Sequence, residues 1–358
     1  MWLILYPRST YQWYTSGVKI QKKAIIFALI AGLLAVPLVI WLLTRSPLSL
    51  EQKVGQMFML GFNGIKPDYY ITKALKQRNF GGVILLGYNI EQPNQLKELT
   101  SDLTGIPETK PFIAVDQEGN LVARVKFEPT AKVSQSDLKN GEEAYDTAFK
   151  RGAYLKEMGI NLNLAPVVDL ATSESANIWS RAFRKDHGIF GDAMIRGCND
   201  AGIYCVVKHF PSYGNFSGDV EKEIPRKELS AGEVAVFKEA LKNAKFLMIS
   251  PVIATNIDPD NPAPISEKAI KFIRENLGFK GLIITDDVEM VSIRSNYNPV
   301  QFAADAIKAG VDMVLFSGNP QDAADAYDLV VEKVESGEIS GKRINESVKR
   351  ILGLKKSL

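Results

Sequence analysis

The chain has 358 residues, a formal charge of +2, and 46% apolar and 23% charged residues. Such a chain buries one large core or two moderate ones, which excludes disorder, and its near-neutral charge gives no electrostatic case for a nucleic-acid partner. The two cysteines, Cys198 and Cys205, exclude a disulfide framework and zinc-ligand spacing; they either pair with each other or stay as two buried thiols.

From the N-terminus, the first predicted element is residues 24–44, AIIFALIAGLLAVPLVIWLLT, an apolar run without formal charge. At about 1.5 Å of helical rise per residue it crosses a hydrocarbon core about 30 Å thick. Arg8, Lys19, Lys22 and Lys23 precede it and Arg45 alone follows closely, so the basic bias puts residues 1–23 in the cytoplasm and residues 46–358 outside. A cleaved signal peptide is the rival reading, but the run is long for one and no small-residue cleavage site follows Trp41. The expectation is a single-pass anchor in the cell membrane.

Beyond Ser49, apolar strand-like runs alternate with amphipathic helical ones. The strand candidates are Gln56–Gly61, Gly82–Leu86, Phe112–Asp116, Asn161–Pro166, Tyr204–His209, Phe246–Pro251, Leu282–Asp286 and Met313–Phe316. Helical periodicity marks Gln92–Leu103, Glu142–Met158, Ile189–Asp200, Ala231–Asn243, Ser266–Asn276 and Pro299–Ala309. Continuous apolar strands separated by helices imply right-handed parallel crossovers, and eight such units in roughly 310 residues predict an α/β fold of the (β/α)8 TIM-like barrel type. A doubly wound open sheet is the alternative, but it gathers its ligand groups at one switch point, whereas here polar residues follow most strands. The stretches 126–141 and 212–226 lack a clear period and read as long, functional loops.

Polar residues collect where barrel strands end. Gly281–Met290, GLIITDDVEM, runs from a buried strand into Asp286 and Asp287. The third strand ends in Asp116, Gln117 and Glu118, with Arg124 shortly after; the fourth leads to Asp169 and then Asn177 and Arg181; the fifth ends in Lys208 and His209. Carboxylate and guanidinium forks of this kind suit sugar hydroxyls, and strand carboxyl ends are where barrel enzymes place their chemistry.

The strings VGQMFMLGF, GGVILL, IAVDQEGNLVAR, GINLNLAPVVDL, SRAF, VVKHFP, LGFKGLIITDDVEM and AGVDMVLF occur in this order. Together, over about Leu50 to Leu354, the chain resembles the N-terminal barrel of glycoside hydrolase family 3, and within it the single-domain β-N-acetylhexosaminidases. The resemblance implies a glycan substrate with terminal β-linked N-acetylglucosamine, such as a peptidoglycan fragment, and no metal or organic cofactor. It makes Asp286 the catalytic nucleophile and puts Asp116, Arg124, Arg181, Lys208 and His209 on sugar-holding positions. Asp219 matches the aspartate of a loop-borne Asp-His acid/base dyad. That branch reads KHFPGHG and then DSH; this chain reads KHFPSYGNFSGDVE, with Ser212 and Tyr213 for glycine and histidine and Glu221 where the dyad's histidine stands.

Retaining glycosidases pair a carboxylate nucleophile with a group that protonates the leaving oxygen and then deprotonates water. Asp286 fills the first role; Glu221 fills the second if burial or the neighbouring Asp219 raises its pKa. Asp287 is expected to orient Asp286 or cap the next helix, and Glu289 to lie at the surface or to support the site from behind its contacting residues. Trp179, Tyr213 and Phe216 read either as an aromatic platform for a sugar face or as packing. Three alternatives stay open: a glycan-binding barrel that has lost turnover, β-glucosidase-like specificity, and a phosphorylase using inorganic phosphate, which the charge of Glu221 disfavours.

Overall fold

The computed structural model describes residues 48–358 and, before them, Phe27 alone. Apart from Phe27, the expected span 24–44 lies outside the described residues; among the described residues no helix is long and apolar enough to cross a membrane. Leu50–Leu358 forms one compact unit.

Eight parallel strands close into a barrel: β1 Phe58–Leu60, β2 Gly82–Leu85, β3 Phe112–Val115, β4 Leu162–Asn163, β5 Tyr204–Phe210, β6 Phe246–Ile249, β7 Leu282–Asp287 and β8 Met313–Phe316. Each pairs with its chain neighbours, and β1 closes on β8 with Met59 opposite Leu315. The expected TIM-like barrel is therefore observed. Strand residues such as Val83, Ile113, Val206, Leu247, Ile283 and Val314 are all fully buried, because both faces of every strand are covered. β4 is shorter than its apolar run because Pro166 offers no N–H to a ladder; beyond it, Val167 meets Lys208 in an isolated bridge.

The surrounding helices are α1 Leu50–Gly55, α2 Tyr69–Gln77, α3 Pro93–Gly105, α4 Gly141–Glu157, α5 His187–Ala201, α6 Ala231–Ala240, α7 Glu267–Glu275, α8 Val291–Arg294, α9 Pro299–Ala309, α10 Pro320–Glu335 and α11 Gly341–Lys355. Helices α2, α10 and α11 are not among those that periodicity marks. All three carry side-chain N-caps, from Asp68, Asn319 and Ser340. Cys198 on α5 and Cys205 on β5 form a disulfide, their Cα atoms 6.0 Å apart, which settles the alternative left open above.

Two strands lose register at their carboxyl ends. β5 shifts against β6 between Val207 and Phe210, and β7 shifts against β8 between Ile284 and Asp287. Such bulges re-aim side chains. Here they fall on Lys208, His209 and Asp286.

Candidate active site

Glu118 lies at the centre of the carboxyl-end cluster. It follows β3 in a tight hairpin, Gln117–Gly119 against Val122–Ala123, whose turn has a positive φ of 106° at Gly119. A Cβ there would meet the Val133 carbonyl oxygen at 2.0 Å, so the turn requires glycine. Arg151 of α4, itself buried, braces the hairpin from below by donating to the carbonyls of Glu118 (2.6 Å) and Thr130 (2.9 Å). The Glu118 carboxylate accepts a forked pair from Arg181 (2.9 and 2.7 Å) and a third contact from Lys208 Nζ (2.6 Å). Lys208 also donates to Asp116 Oδ1 at 2.8 Å. Burial alone would raise the Glu118 carboxyl, but the Arg181 and Lys208 charges outweigh it and hold the group well below the usual carboxylate range. Burial would likewise lower the Lys208 amine; Asp116 and Glu118 keep it raised.

Asp169, fully buried past β4, organises the next layer. Its Oδ2 accepts from His209 Nδ1 (2.8 Å) and from the His209 backbone N–H (3.1 Å), and its Oδ1 from the Tyr213 N–H (2.7 Å). With Nδ1 donating, His209 Nε2 is left facing Arg181 Nη2 at 3.4 Å. Tyr213 then reaches the end of β7, where its hydroxyl donates to Asp286 Oδ2 at 3.1 Å. The Asp287 N–H donates to Asp286 Oδ1 at 2.9 Å. The Asp287 carboxylate is engaged elsewhere, accepting from Ser317 Oγ and from the Glu289 N–H (3.0 Å). Burial pushes the Asp287 carboxyl up to about 6 against those hydrogen bonds.

The loop after β5 carries the remaining acids. Val220 is buried in an apolar cluster with Tyr213, Val167, Ile178 and Val252, and its carbonyl accepts from Ser292 Oγ at 3.2 Å. The Glu221 carbonyl accepts from the Ser292 N–H at 2.7 Å, so the loop is tied to α8, just past β7. Glu221 itself is exposed. Partial burial, then the charges of Asp286 and Asp219, raise its carboxyl above the ordinary range. Asp219 carries a pair of its own: its carboxylate binds Lys222 (2.9 Å) and accepts the Glu221 N–H (3.0 Å), which lowers it.

Comparison with known proteins places this geometry. The model of the glycosyl hydrolase family 3 N terminal domain matches residues 49–354. The chain belongs to glycosyl hydrolase family 3. It is by class a glycoside hydrolase. A beta-hexosaminidase of Nitrosomonas eutropha is 33% identical over 263 residues, 68% of this chain and 75% of that protein. An "uncharacterized secreted glycosyl hydrolase" of Arthroderma benhamiae is 30% identical over 360 residues, 94% and 99% of the two chains. Among solved structures, a family 3 beta-N-acetylglucosaminidase from Paenibacillus sp. str. FPU-7 superposes with a TM-score of 0.83 at 32% identity, over 87% of this chain and 63% of that one. This chain thus spans under two thirds of the Paenibacillus protein's length.

Within the family 3 barrel, Asp116, Arg181, Lys208 and His209 meet in one hydrogen-bonded network, and Asp286 joins it through Tyr213 and Asp169. Arg124 stands outside that network: its Nε is buried without a partner, and its Cδ lies 4.0 Å from where a Cβ on Gly87 would sit, past β2. Sequence pattern places Glu118 and Asp169 among the polar residues at strand ends but assigns neither a role; the structure makes Glu118 the hub and Asp169 the bridge. The signal for Glu118 is its position two residues beyond Asp116 in a stretch dense with polar groups. Tyr213 is no sugar platform: it is 1% exposed with its hydroxyl on Asp286. Trp179 and Phe216 pack on the apolar cluster, and Arg184 stacks 3.9 Å over Trp179. Asp287 braces a turn, and its backbone N–H is what it gives to Asp286. Glu289 accepts from Gly318 N–H (2.6 Å) and binds Arg294, so it ties β7's end to the loop after β8. A roomy cavity lies away from all of these, about 980 Å³ lined by Lys238, Lys245, Lys280, Lys349 and Arg350, and holds none of the expected site residues.

Proposed function

We propose that the chain is an exo-acting, retaining β-N-acetylhexosaminidase that removes terminal β-linked N-acetylglucosamine from cell-wall fragments or related glycans. The observation that carries the reading is Asp286, at the carboxyl end of β7, standing with its charge acting on Glu221 and its carboxylate linked to the Arg181–His209 network. Asp116, Arg124, Arg181, Lys208 and His209 hold the sugar.

In the first step an oxygen of Asp286 attacks the anomeric carbon. The glycosidic C–O bond breaks, its electron pair stays on the departing oxygen, and that oxygen takes the Glu221 proton. In the second, Glu221 removes a proton from water, which displaces Asp286 from the sugar. The raised Glu221 carboxyl supports this assignment, because a general acid must still hold its proton near the working pH. Asp219 tunes it by like charge. The names of the Nitrosomonas and Paenibacillus relatives support the choice of sugar. For location we propose a membrane anchor through residues 24–44 with the barrel outside the cytoplasm, a compartment in which the Cys198–Cys205 disulfide persists.

A second reading, a glycan-binding barrel without turnover, is favoured by one observation: Asp219 is engaged by Lys222, on a loop where Glu221 is exposed. One experiment separates the two. The full chain incubated with a chromogenic β-N-acetylglucosaminide releases chromophore, and Asp286→Ala lowers kcat by at least ~10⁴-fold. Sugar binding with no release from any β-glycoside would establish the second reading instead.

A further inference from the structure

The glycosidase reading leaves unexplained why a fully buried tyrosine hydroxyl is aimed at the nucleophile. Tyr213 is 1% exposed and fixed at both ends. Its N–H donates to Asp169 Oδ1, its ring lies 4.9 Å from the His209 ring, and its flank packs on Val167, Ile178, Val220 and Val252. Its only polar side-chain atom meets Asp286 Oδ2. The other Asp286 oxygen is held by the Asp287 N–H, so each oxygen of the attacking carboxylate has one fixed donor.

We propose that Tyr213 is the positioning residue for the nucleophile: through Asp169 it sets the Asp286 carboxylate in register with the sugar-holding His209. The inference rests on Asp286 being the nucleophile. A carboxylate on a strand end has free rotation about its last bond, and a donor on each oxygen removes that freedom before substrate arrives. Asp169 makes the setting common to both halves of the site, because one buried carboxylate grips the His209 ring with Oδ2 and the Tyr213 backbone with Oδ1. Tyr213 also suits the task over a wide pH range. Burial first, and then the Asp286 charge, raise its phenol well above the usual value, so it remains a neutral donor.

The loop geometry extends the same idea. Val220 packs in the Tyr213 cluster and immediately precedes Glu221. A shift of the Tyr213 ring therefore disturbs the nucleophile and the acid/base together, whereas loss of the hydroxyl alone disturbs only the nucleophile.

The test is Tyr213→Phe in the full chain, which keeps the ring and removes the donor. Its kcat/KM is measured on a series of aryl and alkyl β-N-acetylglucosaminides spanning good to poor leaving groups, alongside calorimetric affinity for N-acetylglucosamine and the melting temperature. The expected result is a ~10- to 100-fold loss of kcat/KM, the same across the series, with sugar affinity within about twofold of the parent. Positioning of the attacking atom slows every leaving group equally, which a proton-transfer role does not, and leaves sugar affinity and melting temperature in place, which packing damage does not. A loss that steepens with poorer leaving groups, a parallel loss of sugar affinity, or kcat/KM within about twofold of the parent overturns the inference. Asp286→Ala run beside it keeps the two claims apart: if that variant retains activity the nucleophile assignment has failed, and if it is dead while Tyr213→Phe is unchanged only the positioning role has failed.

Discussion

The ionisable groups of the site fall into two regions built differently. Glu118, Lys208, His209 and Asp169 stand at or just past barrel strands, nine-tenths or more buried, and each has two or more partners within hydrogen-bond distance. Asp219 and Glu221 stand on the loop after β5, closer to solvent, with Lys222 as the ion-pair partner of Asp219. On the proposed function, the difference separates two tasks. Recognition of a rigid ring needs groups fixed before the ring arrives, and buried ion pairs that satisfy one another supply that fixity. Proton transfer needs a group that reaches the glycosidic oxygen and exchanges its proton with water, and that is easier from a loop at the mouth.

The comparison breaks first, and with the largest effect on stability, at Glu118. Replacing it by glutamine leaves Arg181 and Lys208 facing one another, with Asp116 and, for Arg181, the charge of Asp169 left to balance them. Loss of one partner from a buried ionic cluster costs about 3–5 kcal/mol. Glu118→Gln is therefore expected to lower the urea midpoint by that equivalent and to abolish measurable sugar binding. The sign with pH follows from the depressed Glu118 carboxyl. Its stabilisation is complete above the ordinary glutamate range and is lost as pH falls towards the folded value, so the gap between parent and variant should narrow in acid. A variant as stable as the parent at neutral pH would mean that the cluster is not what fixes the binding half.

Glu221→Gln is expected to leave stability nearly untouched and to act on rate. On alkyl glycosides, whose leaving oxygen needs the proton, kcat/KM should fall by ~10²- to 10⁴-fold, with a much smaller loss on dinitrophenyl glycosides. In the parent, activity requires the protonated acid, so it declines as pH rises through the Glu221 value; because burial, Asp286 and Asp219 raise that value, the decline comes above the ordinary glutamate range. That alkaline limb should vanish in the glutamine variant. Equal losses on both substrate classes would remove Glu221 from proton transfer.

The recognition half is more legible in the sequence than the catalytic half, for a physical reason. Strands such as Leu282–Asp287 announce themselves as β-branched runs that end in charge, and residues at the ends of such strands converge because a closed barrel makes them converge. Asp116, Lys208 and His209, and Arg181 in the loop after the fourth strand, are found that way, and resemblance adds the sugar-holding role. The role of Glu118 is not, because its importance lies in partners far along the chain, 63 positions away in the case of Arg181, and local pattern carries no trace of who faces whom across a barrel. Tyr213 misleads for a related reason: an aromatic close to a proline and a glycine reads as surface or packing, and only the register shift in β5 and the Asp169 contact reveal where its hydroxyl goes. The loop after β5 has no period at all, so sequence names its acids by resemblance and leaves open which of them faces the nucleophile.

Asp219 sharpens the comparison with the smallest expected effect. Its carboxylate accepts the Glu221 N–H and pairs with Lys222, and asparagine at that position keeps an acceptor for the first contact while removing the charge. Asp219→Asn is therefore expected to hold kcat within about threefold of the parent on any leaving group, because an exposed charge acts weakly through solvent. It should still leave a signature. With one like charge gone, Glu221 is raised less, loses its proton sooner, and the alkaline limb of kcat/KM moves to lower pH, unlike packing damage, which lowers the whole profile without moving it. If Asp219→Asn instead costs as much as Glu221→Gln, the roles of the two acids are reversed, and the pair on the loop works as a dyad in which neither member is merely a tuner.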